Sequence, residues 1–191
     1  MVDIIIADVS GHSVGAAFIM VEARSFLKAK VHSTGSAGKM LATLNELLYE
    51  DLTRAELFIT MFYVKYNAER QLLTYANAGH NRPFLFRPKD GFCTELDAEG
   101  LILGIKREVT FEEKSIQLQR GDMLLLYTDG IIEARNPSGE YFGAEKLCSI
   151  LGKVYNEHPE QVVDVILGKV TEFIGSAVAE DDISMVVMKV L

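Results

Sequence analysis

Three places in this 191-residue chain set a carboxylate against an apolar run. Asp129 and Gly130 follow Gly121-Asp122 and the run Met123-Leu124-Leu125-Leu126-Tyr127-Thr128. Asp8 ends Ile4-Ile5-Ile6-Ala7, and the pair Asp181-Asp182 stands just before Ile183. A strand end fixes a side chain, and a following glycine lets the backbone turn away, so an aspartate placed there can hold a hard metal ion or a phosphate. One Asp-Gly alone reads as a turn or a cap. The functional reading rests on all three places together.

The elements that must position these residues follow from the pattern. Val2 to Val9 reads as a strand. Ser10-Gly11-His12-Ser13 turns into a helix from Val14 to His32, whose first part is apolar nearly all round and is expected to be covered. Thr34-Gly35-Ser36 breaks the chain. A second helix runs to about Asp51, with Met40, Leu41, Leu44, Leu47 and Leu48 as its buried stripe. From Leu57 the period becomes two, giving strands at Phe58–Val64, Gln71–Asn77, Phe84–Phe86 and Phe92–Leu96. Thr110–Leu118 and Asp122–Thr128 read as two antiparallel strands about Gln119-Arg120-Gly121, while Leu101–Ile105 fits no element by pattern. Helices at Ala144–Tyr155 and from Pro159 to Gly175 precede a last strand, Asp182–Val190. This order indicates an α+β layered fold in one domain, residues 1–191. Strands apolar on both faces need cover on both sides, which two packed sheets with helices outside provide.

Composition sets limits. Apolar residues make up 49% and charged ones 24%, ordinary for a globular protein. A formal charge of −8 argues against a nucleic-acid groove. No apolar run reaches the roughly 18–20 residues that span a bilayer, and no signal peptide is visible, so a cytoplasmic location is expected. Cys93 and Cys148 show no metal-binding spacing and read as two free thiols.

Five segments, taken in order, carry a resemblance: Ala7-Asp8-Val9-Ser10-Gly11-His12, Phe58 to Tyr63, Ala78-Gly79-His80-Asn81, Gly121-Asp122 through Tyr127-Thr128-Asp129-Gly130-Ile131-Ile132-Glu133-Ala134, and Asp181-Asp182-Ile183-Ser184. The chain resembles the SpoIIE-type (RsbU-like) serine phosphatases of the metal-dependent protein phosphatase 2C-like superfamily. The resemblance implies an α/β/β/α sandwich of two mainly antiparallel sheets flanked by helix pairs. It also implies a two-metal centre of Mn2+ or Mg2+ and hydrolysis of phosphoserine or phosphothreonine on a regulatory protein. The substrate class it suggests is an anti-anti-sigma (STAS-domain) protein. By resemblance Asp8 bridges the metals with help from the Val9 carbonyl, Asp129 and Asp181 hold one ion, and Asp182 supports them. Gly11 and Gly130 are close-approach positions, and His12 is a candidate acid or a residue shaping the loop. His80 is expected to fix a turn by hydrogen bonding. Arg82 and Arg135 read as solvated loop arginines within reach of a phosphate.

The family pattern also has a Gly-Gly-Asp strand ahead of Asp8. Without it, the chain reads as an N-terminally truncated piece with the first strand missing and an incomplete metal site. Val2–Val9 would then lack a ladder partner and invite homodimer pairing. A sensor or receiver domain upstream is the expected regulatory partner. Two readings compete with the enzyme: a pseudo-phosphatase that binds phosphoprotein without turnover, and a hydrolase of small phosphoesters.

Overall fold

β1 (Val2–Val9) pairs antiparallel with β2 (Ile59–Asn67) along its whole length, from Val2 opposite Tyr66 to Val9 opposite Ile59. The expectation that this segment lacks a ladder partner is therefore corrected: β2 satisfies one side of it. The other side lies at the edge of the sheet, whose order is β1-β2-β3-β6, with β3 at Leu72–Ala78 and β6 at Glu113–Gln117. This is a computed structural model, which describes residues 1–30, 35–177 and 181–191. Within it the chain divides into two compact units, Met1–His80 with Asp97–Gln117, and Asn81–Leu96 with Leu118–Leu191.

In the first unit, α2 (Ala37–Ala55) lies on β2 and β3. Its stripe Met40, Leu41, Leu44, Leu48 and Leu52 is fully buried against Ile59, Met61, Tyr63, Ala76 and Ala78, as helical spacing predicts. Leu47 departs from that stripe and is partly exposed. Ser36 caps the helix by accepting from the Lys39 N–H at 3.2 Å. Glu113 of β6 accepts from the Ser36 hydroxyl (2.7 Å) and the Gly38 N–H (3.1 Å), placing a carboxylate at the positive end of the helix.

α1 (Val14–Lys30) packs on α2 and β1 through Ala16, Ile19 and Ala23. Among the described residues the expected cover over its first turns is absent. Val14 is 74% and Phe18 70% exposed, and Met20 and Val21 are about half exposed. A helix presents only one stripe to a sheet, so residues apolar all round leave the far side bare. His32 and Thr34 lie outside the described residues.

Leu101–Ile105, unassigned by pattern, is held without a strand. Leu103 exchanges two main-chain hydrogen bonds with Ile59 (2.9 and 3.2 Å). The fully buried Asn45 accepts from the Gly104 N–H at 2.9 Å and donates to the Lys106 and Arg107 carbonyls, each at 2.8 Å.

In the second unit the sheet order is β5-β4-β7-β8, from β4 (Phe84–Arg87), β5 (Phe92–Glu95), β7 (Met123–Tyr127) and β8 (Met185–Lys189), all antiparallel. β7 lies inside the sheet and every residue of it is buried, as its unbroken apolar run predicts. Met123, Leu125 and Tyr127 pack with Phe84 and Phe86 against α4 (Ala144–Val154) and α5 (Pro159–Ile174). Two expectations fail here. β6 and β7 do not pair with each other, because β6 completes the first sheet beside β3 and β7 enters the second between β4 and β8. Cys93 and Cys148 are not free thiols: β5 and α4 bring them into a disulfide, with Cα atoms 6.0 Å apart.

The disulfide and the buried tyrosines yield measurable outcomes. The disulfide closes a loop of 55 residues, so reduction or Cys148→Ser should cost about 2–4 kcal/mol in urea unfolding. Burial raises the phenol pKa of Tyr63 (helped by Asp3), Tyr75 and Tyr127, the last to about 12. The unfolded phenols ionise near 10 while the folded ones stay protonated, so the unfolded state binds fewer protons above that pH. Stability should hold below about pH 9 and fall from about pH 10 upward. Tyrosinate absorbance should show these three of the seven tyrosines ionising at higher pH than ordinary exposed phenols.

Candidate active site

In the first unit Asp8 stands half-buried near the end of β1, opposite Thr60. Directly after it the backbone is pinned to the start of β2. The Ser10 N–H donates to the Phe58 carbonyl at 2.9 Å, and the Ser10 hydroxyl accepts from the Phe58 N–H at 2.9 Å. Gly11 then turns at φ +80°, a conformation open to glycine. Ser13 accepts from the Ala16 N–H at 3.2 Å and opens α1. Val9 is half-buried opposite Ile59, and His12 is exposed on the loop between Gly11 and Ser13. His80 fixes a turn: its N–H donates to the Asn77 side-chain oxygen (2.8 Å), its carbonyl accepts from the Asn77 amide (3.0 Å), and its Nδ1 lies 2.8 Å from the Thr60 hydroxyl.

In the second unit the end of β7 is clamped to the segment leading into β8. The buried Thr128 hydroxyl accepts from the Ser184 N–H at 2.9 Å and donates to the Asp182 carbonyl at 3.1 Å. The Thr128 N–H donates to the Ser184 carbonyl at 3.0 Å. α3 (Asp129–Ile132) starts immediately, with Asp129 in its first turn. Gly130 lies so close to the Asp181-Asp182 backbone that a side-chain Cβ would overlap the Asp182 carbonyl oxygen. Asp129 and Asp181 are thereby carried on touching stretches of chain. Asp181 also accepts from the Asp182 N–H at 2.8 Å, which orders the acidic turn. The sequence pattern marks Asp129 and Gly130 but passes over Thr128, which stood in the same motif as a small polar residue ending an apolar run.

Beside this clamp is a cavity of about 240 Å3, bounded by Gly130, Glu133, Arg135, Tyr141, Ile174 and Asp181. The Arg135 guanidinium lies 4.7 Å from the centre of the Tyr141 ring and donates to its hydroxyl at 2.6 Å. Arg82 lies elsewhere in this unit, paired with Glu95 at 3.3 Å.

Asp129, Gly130, Asp181 and Asp182 are thus gathered in the second unit, whereas Asp8, Val9, Gly11 and His12 belong to the first. Among the described residues, no group of three or more His, Cys, Asp or Glu side chains is arranged to hold a metal ion. The donors at the clamp are carboxylates, half-buried at Asp129 and exposed at Asp181, and such oxygen donors suit Mg2+ or Mn2+ in chemical type. Among the described residues no helix is long and apolar enough to cross a membrane.

The family model for Stage II sporulation protein E (SpoIIE) matches residues 1–191. The chain belongs to the SpoIIE family. Its relatives include the phosphoserine phosphatase RsbU of Bacillus subtilis, 36% identical over 142 residues that cover 72% of this chain and 41% of RsbU. This SpoIIE-family chain spans a third to two-fifths of the curated relatives it matches. Among solved structures, the SiaA-PP2C domain of Pseudomonas aeruginosa superposes with a TM-score of 0.86 at 19% identity, covering 98% of this chain and 75% of that one. A SpoIIE structure from Bacillus subtilis, its PP2C phosphatase domain with a fragment of the regulatory domain, gives 0.79 at 22% identity, covering 98% and 54%. At such identities the likeness shows a shared fold, a mixed α+β architecture with two antiparallel sheets.

The clamp predicts its own energetics. Thr128→Val removes a buried hydroxyl that both donates and accepts, and should cost about 1–3 kcal/mol in urea unfolding. Gly130→Ala forces α3 away from Asp182, and its midpoint should fall below that of the valine variant.

Proposed function

We propose that this chain is a metal-dependent protein phosphatase domain that hydrolyses phosphoserine or phosphothreonine on a regulatory protein. The observation that carries this reading is the pair Asp129 and Asp181, held on touching backbone by Thr128 and Gly130 in a chain of the SpoIIE family. The similarity to RsbU, a phosphoserine phosphatase, supports the choice of reaction.

In this reading Asp129 and Asp181 hold a Mn2+ or Mg2+ ion, and the family resemblance assigns the same task to Asp8 and the Val9 carbonyl. A bound divalent ion of this kind supplies an activated water and neutralises charge on phosphoryl oxygens. The chain's own contribution is positional. Thr128 fixes the height of Asp129 above the sheet, Gly130 allows the close approach, and the Asp182 N–H orients the Asp181 carboxylate. The substrate we infer is a phosphorylated STAS-domain anti-anti-sigma protein, with an upstream sensor or receiver domain as the regulatory partner.

The test is turnover of a phosphoserine STAS protein with Mn2+ supplied, with p-nitrophenyl phosphate as the small-ester control. Hydrolysis should vanish on chelation. Asp129→Asn should lower kcat on the order of 10²-fold or more, the scale seen when a group supporting transition-state charge is removed. Phosphoprotein binding without turnover in the unaltered chain would instead identify a pseudo-phosphatase. Turnover of the aryl ester alone would identify a small-phosphoester hydrolase.

A further inference from the structure

The loop from Arg135 to Tyr141 is exposed along most of its length yet heavily tied. Arg135 and Tyr141 face each other as an isolated antiparallel bridge. Between them the Asn136 side-chain oxygen accepts from the Ser138 and Glu140 N–H groups at 3.0 and 2.9 Å. The Asn136 amide donates to the Glu140 carboxylate at 2.8 Å. Main-chain bonds close the same turn, Asn136 N–H to the Glu140 carbonyl (3.1 Å) and Gly139 N–H to the Asn136 carbonyl (2.9 Å).

Both ends are anchored. The Phe142 N–H donates to the Ala134 carbonyl at 2.8 Å, and the Gly143 N–H to the Ile132 carbonyl at 2.9 Å. The Phe142 ring is buried edge-on to Phe173 of α5. Little of this serves to cover a core, since Tyr141 itself is 51% exposed. A surface loop stiffened in this way loses little entropy when it meets a partner.

The loop presents its stiffened end to the cavity beside Asp181 and Gly130. At about 240 Å3 that cavity is below the size usual for drug-sized ligands and suits an amino-acid side chain. Its lining combines Tyr141 and Ile174 with the charged residues Arg135 and Glu133. The guanidinium is a planar fork of N–H donors matched to oxygen acceptors. Its stacking on Tyr141 and its bond to the Tyr141 hydroxyl hold that fork in one orientation.

We propose that Arg135 and Tyr141 form a peptide-reading subsite, which accepts the segment flanking the phosphoserine of a protein substrate. Arg135 donates to a main-chain carbonyl of that segment, and a neighbouring side chain enters the cavity against Tyr141 and Ile174. This inference rests on the phosphatase reading and deepens it, because it makes the enzyme a reader of peptide as well as of phosphate.

The experiment compares kcat/KM for a short peptide with one central phosphoserine against kcat/KM for p-nitrophenyl phosphate, which has no peptide flank, in Mn2+-supplied protein. In Arg135→Ala the ratio of the two should fall about tenfold, the scale of a hydrogen bond to a charged group, and the change should reside in KM for the peptide. Tyr141→Phe keeps the ring, removes the hydroxyl that orients Arg135, and should shift the ratio the same way by a smaller factor. Thermal melting confirms that each variant is folded, and should Arg135→Ala unfold, Tyr141→Phe decides. A ratio within twofold of the unaltered protein in both folded variants overturns the subsite. If the unaltered protein hydrolyses neither ester, the phosphatase reading fails separately. The subsite then stands on fluorescence anisotropy of a labelled copy of the same phosphopeptide, with weaker binding in Arg135→Ala required and equal binding overturning it.

Discussion

The Thr128 hydroxyl joins the end of a fully buried strand to the acidic segment that precedes the last one, and most of the candidate chemistry hangs from that joint. It adds a side-chain tie to the main-chain bond from the Thr128 N–H to the Ser184 carbonyl, and so narrows where Asp181 stands relative to Asp129. The joint works because β7 cannot move: its residues are buried on both faces, and it is laddered to β4 and β8. Gly130 supplies the second condition, a backbone with nothing projecting toward the Asp182 carbonyl. A hydroxyl that both donates and accepts and a missing side chain thus set the spacing of two carboxylates.

The first unit anchors its own candidate loop by different means. Asp8 lies on an edge strand, where position could drift, but Ser10 ties the following turn to Phe58 through two hydrogen bonds. The Asn77–His80 pair then braces the neighbouring turn, and His80 also meets the Thr60 hydroxyl opposite Asp8 in the ladder. Asp8 and Asp129 thus each lie within two residues of a hydroxyl residue, Ser10 or Thr128, whose main chain and side chain are both hydrogen-bonded to another segment.

What could be read in advance was whatever depends on local periodicity. The α2 stripe, the double-faced burial of β7 and the start of α5 at Pro159 follow from spacing, because each is decided within one element. Relations between elements were not legible. Gln119-Arg120-Gly121 looks like a hairpin turn, yet the chain uses it to leave one sheet for the other. Cys93 and Cys148 looked unrelated at a separation of 55, which says nothing about a strand and a helix that pack together. α1 misled for the opposite reason: its composition signals burial, but burial depends on which neighbours the fold supplies. Of the candidate site, the aspartates stood out by type, whereas Thr128 and Tyr141 act through geometry that no spacing rule encodes.

Asn45 shows how much can rest on one amide. Its side chain closes three bonds to the stretch between Gly104 and Arg107, taking the place of a neighbouring strand's ladder. A ladder tolerates a bulge, because the pairs beyond it re-form; a single three-point grip does not. Added or lost residues in that stretch would move the carbonyls off the amide together and leave a buried polar group unsatisfied. The length of this irregular segment is therefore constrained as tightly as that of a strand, and length variation among relatives should be tolerated better in turns such as Asp90-Gly91, where no buried side chain counts the residues.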